Sequence, residues 1–180
     1  VIVTAICDVS KDRREEVLER FKSTAKGFSD YRELLAQSNV DAVIIASPPH
    51  WHARMAVDAV EAGKDIYLQK PMTLYPDETV AVRNAVNRHG RISQIGTQIH
   101  AGENYRRVVE WILSGKLGPV RTVRTFNVMN QGREGVGRAP VQDPFSGLDW
   151  DLWCGPAPWR PFNEILFRDS YHHCSFWDYS

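Results

Sequence analysis

Short apolar runs alternate with segments of helical period through the first hundred residues. Residues 1–7 (VIVTAIC) are largely β-branched and end at Asp8, which predicts a strand; Ser10 then caps a helix over 11–25. Val17, Leu18, Phe21 and Ala25 form its apolar stripe, and Gly27 is expected to end it. A short helix with Tyr31, Leu34 and Leu35 follows, capped by Ser29 or Asp30. Residues 40–73, VDAVIIASPPHWHARMAVDAVEAGKDIYLQKPMT, organise the rest. They predict a strand at 42–46, a turn at 47–50, a helix over about 52–61, a stop at Gly63 and a strand at 65–68. Nearly unbroken apolar runs point to a sheet covered on both faces, and a right-handed crossover makes the two strands parallel. Beyond them the pattern predicts a helix over 77–88 ending at Gly90, a strand at 92–96, and a helix over 103–114 closed by Gly115. That last helix carries a stripe of Tyr105, Val108, Val109, Ile112 and Leu113. Residues 120–128 (VRTVRTFNV) alternate in polarity, as in a sheet with one solvated or ligand-facing side. From Met129 onward Gly, Pro and aromatic residues accumulate without a period.

Composition narrows the partners. The chain has 180 residues, and 22 Lys and Arg balance 22 Asp and Glu, so no net field draws it to nucleic acid or an anionic membrane. Lys11, Arg13 and Arg14 form the densest basic patch, but Glu15 and Glu16 interrupt it, as on a solvated helix face. Cys7, Cys154 and Cys174 include no CxxC pair, so a disulfide framework is not expected. No apolar run reaches the length of a membrane span. The chain opens inside a strand without Met, which leaves the compartment open between cytoplasm and periplasm.

Parallel strands at 42–46 and 65–68 would end on one edge, bringing residues 47–52 and 69–71 to a single crevice, the place where open parallel sheets bind ligands. SPPHWH followed by DIYLQKPMT resembles the TPNxxH…hVxxEKPhT pattern of the glucose–fructose oxidoreductase / inositol dehydrogenase (Gfo/Idh/MocA) family. QIGTQIHAGENYRRVVEWILSGKLGPV resembles its next segment, and LDWDLWCGPAPWRPFN resembles a loop of its sugar-acting bacterial members. Gln69 stands where Glu is usual and Pro49 where Asn is usual.

The resemblance implies an α/β chain with an incomplete Rossmann-like parallel sheet over 1–97. After it, over 98–180, comes the start of an α+β substrate domain with an open, mostly antiparallel sheet. It implies an NAD(P)-dependent oxidoreductase moving hydride between nicotinamide and a CH–OH group of a sugar, inositol or polyol, with NAD as cofactor and NADP left open. Lys70 is the implied catalytic residue. Asp8, Ser47, Pro48, Pro49, His52, Gln69, Lys70 and Gln98 are the implied cofactor contacts, with no metal. A homo-oligomer through the C-terminal sheet is expected. The alternatives are an NAD-dependent glycoside hydrolase or lyase using transient oxidation, and a cofactor-binding member without turnover.

Each residue also has a plainer reading. Asp8 either accepts ribose hydroxyls, which favours NAD because a carboxylate repels a 2′-phosphate, or simply forms a turn. Lys11 and Arg13 nearby keep NADP open. Lys70 precedes a proline, which restricts its backbone and so the direction of its side chain. There it either donates to a substrate hydroxyl or is solvated. Gln69 keeps hydrogen-bonding capacity but brings no negative charge. His52 caps its helix or touches the nicotinamide. His50 and His52, with His172, His173 and Cys174, lack a third ligand at metal-binding spacing. Trp150, Trp153, Trp159, Trp177, Phe162 and Tyr171 form either a sugar-stacking wall or ordinary packing. No GxGxxG turn is present, and the strand bearing the ribose acid comes first. A piece of a longer protein is therefore expected, lacking the glycine turn and most of the second domain, and binding dinucleotide weakly alone.

Overall fold

A computed structural model describes residues 1–21, 24–100, 102–126, 135–168 and 172–180. Strand β1 (Ala5–Cys7) pairs in parallel with β2 (Lys26–Phe28), and helix α1 (Lys11–Arg20) connects them. Ser10 caps α1 by accepting from Arg13 N, as its sequence position predicts. Gly27 does not stop this helix. It lies within β2, where a Cβ would sit 2.8 Å from Leu18 Cδ1, so the glycine lets α1 lie against the strand.

Helix α2 (Tyr31–Leu35), capped by Asp30, leads to β3 (Ala42–Ile45), α3 (Pro49–Glu61) and β4 (Asp65–Gln69). Helix α4 (Pro76–His89) and β5 (Ser93–Gly96) complete a parallel sheet ordered β3-β4-β5. Helix α3 starts three residues earlier than periodicity alone predicts, because Pro49 carries the φ of a first helical residue and needs no N–H there. Helix α4 is similarly fixed at both ends. Glu78 accepts from Leu74 N and Tyr75 N, and Gly90 closes the helix in the left-handed conformation.

The core lies on one face of this sheet. Ile45, Ile66 and Leu68 pack with Ala56, Ala59 and Val60 of α3 and Val82 and Ala85 of α4. Each fully buried aliphatic side chain contributes about 1.5–3 kcal/mol. The expectation of two covered faces is corrected here: Ile44 is 78% exposed and Tyr67 45%. Successive side chains alternate across a strand, and among the described residues the packed helices hold only the face of Ile45 and Leu68.

Two compact units result, Val1–Gly96 with Val136–Ser180, and Thr97–Gly135. Residues 136–180 group with the first unit. Their own core of Trp150, Trp153, Cys154, Phe162, Leu166 and Tyr179 closes against Val9 and Leu148. It is built on α6 (Trp150–Cys154), α7 (Glu164–Arg168) and a 3-10 helix at His172–Ser175.

The second unit contains α5 (Glu103–Leu113), whose predicted stripe is present but exposed. The strand expected at 120–128 is not formed over 120–126, and residues 127–128 lie outside the described ones. An alternating segment becomes a strand only when another edge satisfies its backbone, and no described strand lies beside it. Nor does the expected antiparallel sheet form among the described residues, where the antiparallel pairing is limited to isolated bridges Ser10–Leu148 and Val141–Asn163. No described helix is long and apolar enough to cross a membrane.

Candidate functional site

The ladder register sets the site. Ile45 pairs with Leu68, Leu68 with Ile95, and Gln69 with Gly96, so all three strands end level at their carboxyl edge. The Ser47 turn after β3 and the Gln69-Lys70-Pro71 turn after β4 therefore lie along one crevice. Gly96 has no side chain to crowd it: a Cβ there would be 3.0 Å from both Gln69 Oε1 and Tyr67 Cε1.

Lys70 is exposed, and its ammonium makes no hydrogen bond or ion pair among the described residues. Its backbone is held instead, since Lys70 N donates to Gln69 Oε1 at 2.8 Å. Gln69 thereby spends its amide oxygen on the chain, and its NH₂ faces no described partner. Ser47 Oγ is buried without a hydrogen-bond partner. A buried hydroxyl left in that state carries a cost that a bound polar group would remove.

Pro48 and Pro49 occupy the N-cap and first turn of α3. Proline removes N–H groups that would otherwise point at an anion, so this helix start is a poor phosphate cradle. His52 sits a turn inside the helix and is 1% exposed, so it is not the cap. Its Nδ1 is 2.6 Å from Pro71 O and its Nε2 2.8 Å from Ser47 O.

Asp8 stands at the end of β1, on the other sheet. Its Oδ1 accepts from Ser10 N at 2.8 Å, the turn-forming bond, which leaves Oδ2 for a ligand. Arg14 Nη1 donates to Asp8 O at 2.6 Å. Arg13 is committed elsewhere, donating to Phe167 O at 3.1 Å with its guanidinium 3.9 Å above the Phe167 ring. Lys11 pairs with Glu15 at 3.8 Å. The Cys7 thiol beside Asp8 is pushed up to about 12, first by burial and then by the Asp8 charge, so it stays protonated and unreactive. Gln98 belongs to the second unit.

The sequence pattern raised His50 only as a metal ligand and gave Trp51 no role. They hold α6 and the residues around it onto the start of α3. His50 Nε2 donates to Trp153 O at 2.9 Å, and Trp51 Nε1 is shared at 3.1 Å each between Leu152 O and Trp153 O. Gly155 passes so close that a Cβ would sit 2.1 Å from the Trp51 ring. The expected stacking wall resolves accordingly. Trp150, Trp153 and Phe162 are buried core, with Trp150 stacked on Trp153 at 4.5 Å, while Trp159 and Trp177 remain exposed and Tyr171 lies outside the described residues. His172 and His173 fall on the 3-10 helix, and among the described residues no three His, Cys, Asp or Glu side chains converge.

An exposed amine, a free amide NH₂, an orphaned hydroxyl and a carboxylate oxygen suit the ribose and carboxamide groups of a dinucleotide. They do not by themselves supply a pyrophosphate site. Comparison with known proteins gives the wider setting. Residues 2–97 match the family described as "Oxidoreductase family, NAD-binding Rossmann fold" (GFO_IDH_MocA). The inositol 2-dehydrogenase of Salmonella typhimurium is 31% identical over 119 residues, covering 66% of this chain and 35% of that protein. A probable dehydrogenase from Thermotoga maritima superposes with a TM-score of 0.61 at 25% identity, over 66% of this chain and 36% of that one. KijD10, a 3-ketoreductase from Actinomadura kijaniata crystallised with NADP and TDP-benzene, gives a TM-score of 0.57 at 26% identity over 63% of this chain and 34% of that one. The chain spans about a third of the length of the first curated relatives it matches.

Proposed function

Since this chain belongs to the Gfo/Idh/MocA family of oxidoreductases with an NAD-binding Rossmann fold, we propose that it forms part of a dehydrogenase acting on a CH–OH group of a sugar, inositol or related polyol. Bound NAD would supply the hydride acceptor. The observation that carries the proposal is Lys70: an ammonium without a partner, on a backbone pinned by Gln69, at the edge where the strands end. An ammonium so placed donates to the substrate hydroxyl, stabilises negative charge growing on its oxygen, and favours loss of the hydroxyl proton as hydride leaves. Gln69 Nε2 and the orphaned Ser47 Oγ are proposed to bind the nicotinamide-side ribose or carboxamide. Asp8 Oδ2 is proposed to accept from the adenosine ribose, with Pro48 and Pro49 as an apolar lip. The engagement of Arg13 with Phe167 takes away one cation that a 2′-phosphate would use, which supports NAD over NADP.

Assembly is proposed through residues 120–126, which alternate in polarity and leave Val123 and Phe126 exposed. Gln69 favours a second reading, a member that binds cofactor without turnover, because it puts no carboxylate beside Lys70.

Lys70→Met decides between them. In the longer protein the substitution should lower kcat by roughly 10²–10⁴ while NAD affinity stays within a few-fold. Turnover close to wild type would remove Lys70 from the chemistry, and NADH-free products would favour the transient-oxidation hydrolase or lyase.

A further inference from the structure

His52 is buried, and both of its ring nitrogens face backbone carbonyl oxygens, Pro71 O at 2.6 Å and Ser47 O at 2.8 Å. A carbonyl oxygen offers only lone pairs, so a hydrogen bond to each requires an N–H on each nitrogen. A neutral imidazole has one N–H and one bare nitrogen. In that form one of the two contacts would set lone pair against lone pair at hydrogen-bond distance, in a place with 1% of the residue open to water. The two oxygens also belong to different turns, one after β3 and one after β4, and Lys70 immediately precedes the second.

We propose that His52 is an imidazolium in the folded protein and, by donating to both turns, acts as a charged cross-tie that spaces the Ser47 turn from Lys70-Pro71 and so positions Lys70. Its two bonds are charge-assisted, which offsets the burial of one positive charge.

The surrounding groups fit a single charge at this point. His50, from the same helix, is held at about 4, first by burial and to smaller extents by His173 and His52. His173, from the 3-10 helix, is held below the ordinary histidine value by burial and then by His52. Lys70 is the remaining cation on the adjoining turn, and no described carboxylate bonds to the His52 ring. His50 donates to one carbonyl and so needs one proton, whereas His52 has two carbonyls to serve. The tie rests on the proposed role of Lys70 only for its consequence in catalysis; its protonation is a separate matter of fact.

Nuclear magnetic resonance on this chain with ¹⁵N-labelled histidine reads both ring nitrogens directly. The His52 signals are assigned by their loss in His52→Gln, or by sequential connection if that variant does not fold. Near pH 7 both His52 nitrogens should resonate together at the protonated position, while His50 shows one protonated and one bare nitrogen. A bare nitrogen on His52 overturns the proposal. His52→Gln, whose single amide nitrogen cannot serve both carbonyls, should shift the backbone amides of residues 46–48 and 69–73. Turns that ignore the ring would remove its positioning role. Neither outcome depends on turnover, so failure of the tie and failure of the Lys70 assignment are told apart by the Lys70→Met measurement.

Discussion

His50 shows how one side chain links site and stability. Its ring is 4% exposed, donates to Trp153 O and packs edge-on to Tyr179 at 5.0 Å between centroids. Burial lowers it from 6.5 to about 4, so the fold holds it neutral. In the unfolded chain it takes up a proton below about 6.5 that the folded chain refuses until about 4. Stability is thus lost as pH falls through that window and levels off beneath it, by on the order of 3 kcal/mol from this residue. His173 is shifted the same way and adds to the loss. Thermal unfolding from pH 7 to 4 should show the decline, and His50→Gln, which keeps an N–H donor without titrating, should flatten it. A slope unchanged in the variant would place the acid sensitivity elsewhere. At this scale the sequence showed which residues were unusual but not what they touch. Ser47, His52, Gln69 and Lys70 stood out because strand ends gather ligands, whereas nothing in a linear pattern says that His50 meets residue 153.

Whole elements were the most legible. Capping residues marked the starts of α1 and α2, and glycine stops the ends of α3 and α4, to within a few positions, because those signals are local chemistry. Residues 120–126 failed for the converse reason, since a strand is a property of two segments and only one was in view. Gly27 misled because a glycine that ends a helix and one that admits a neighbouring helix look alike in sequence. Gly155 is its counterpart in the second half. It sits at φ 51°, where side chains are strained, and against the Trp51 ring. Gly155→Ala should destabilise the chain by about 2–4 kcal/mol, combining backbone strain with overpacking. Urea unfolding monitored by tryptophan fluorescence checks this. A loss under 0.5 kcal/mol would mean that α6 and α3 separate easily.

Across the whole molecule, the order of helices and parallel strands was readable, but which face of the sheet is covered was not. An apolar run records that a strand prefers burial without saying what buries it, and Ile44 and Tyr67 stand exposed as a result. The attachment of Trp51 to Leu152 and Trp153 also governs the order in which the chain can assemble. The β3-α3-β4 unit closes loops of a few tens of residues, but this attachment joins positions 101 and 102 residues apart. Closing the longer loop costs more chain entropy and has nothing to dock on until the start of α3 exists. Refolding should therefore build a template first and drape the later half over it. Pulse-labelled hydrogen exchange would detect this as α3 and β4 amides protected before those of α6, and simultaneous protection would indicate that the two halves collapse as one. During synthesis the same order means that the aromatic half emerges from the ribosome onto a surface already made for it.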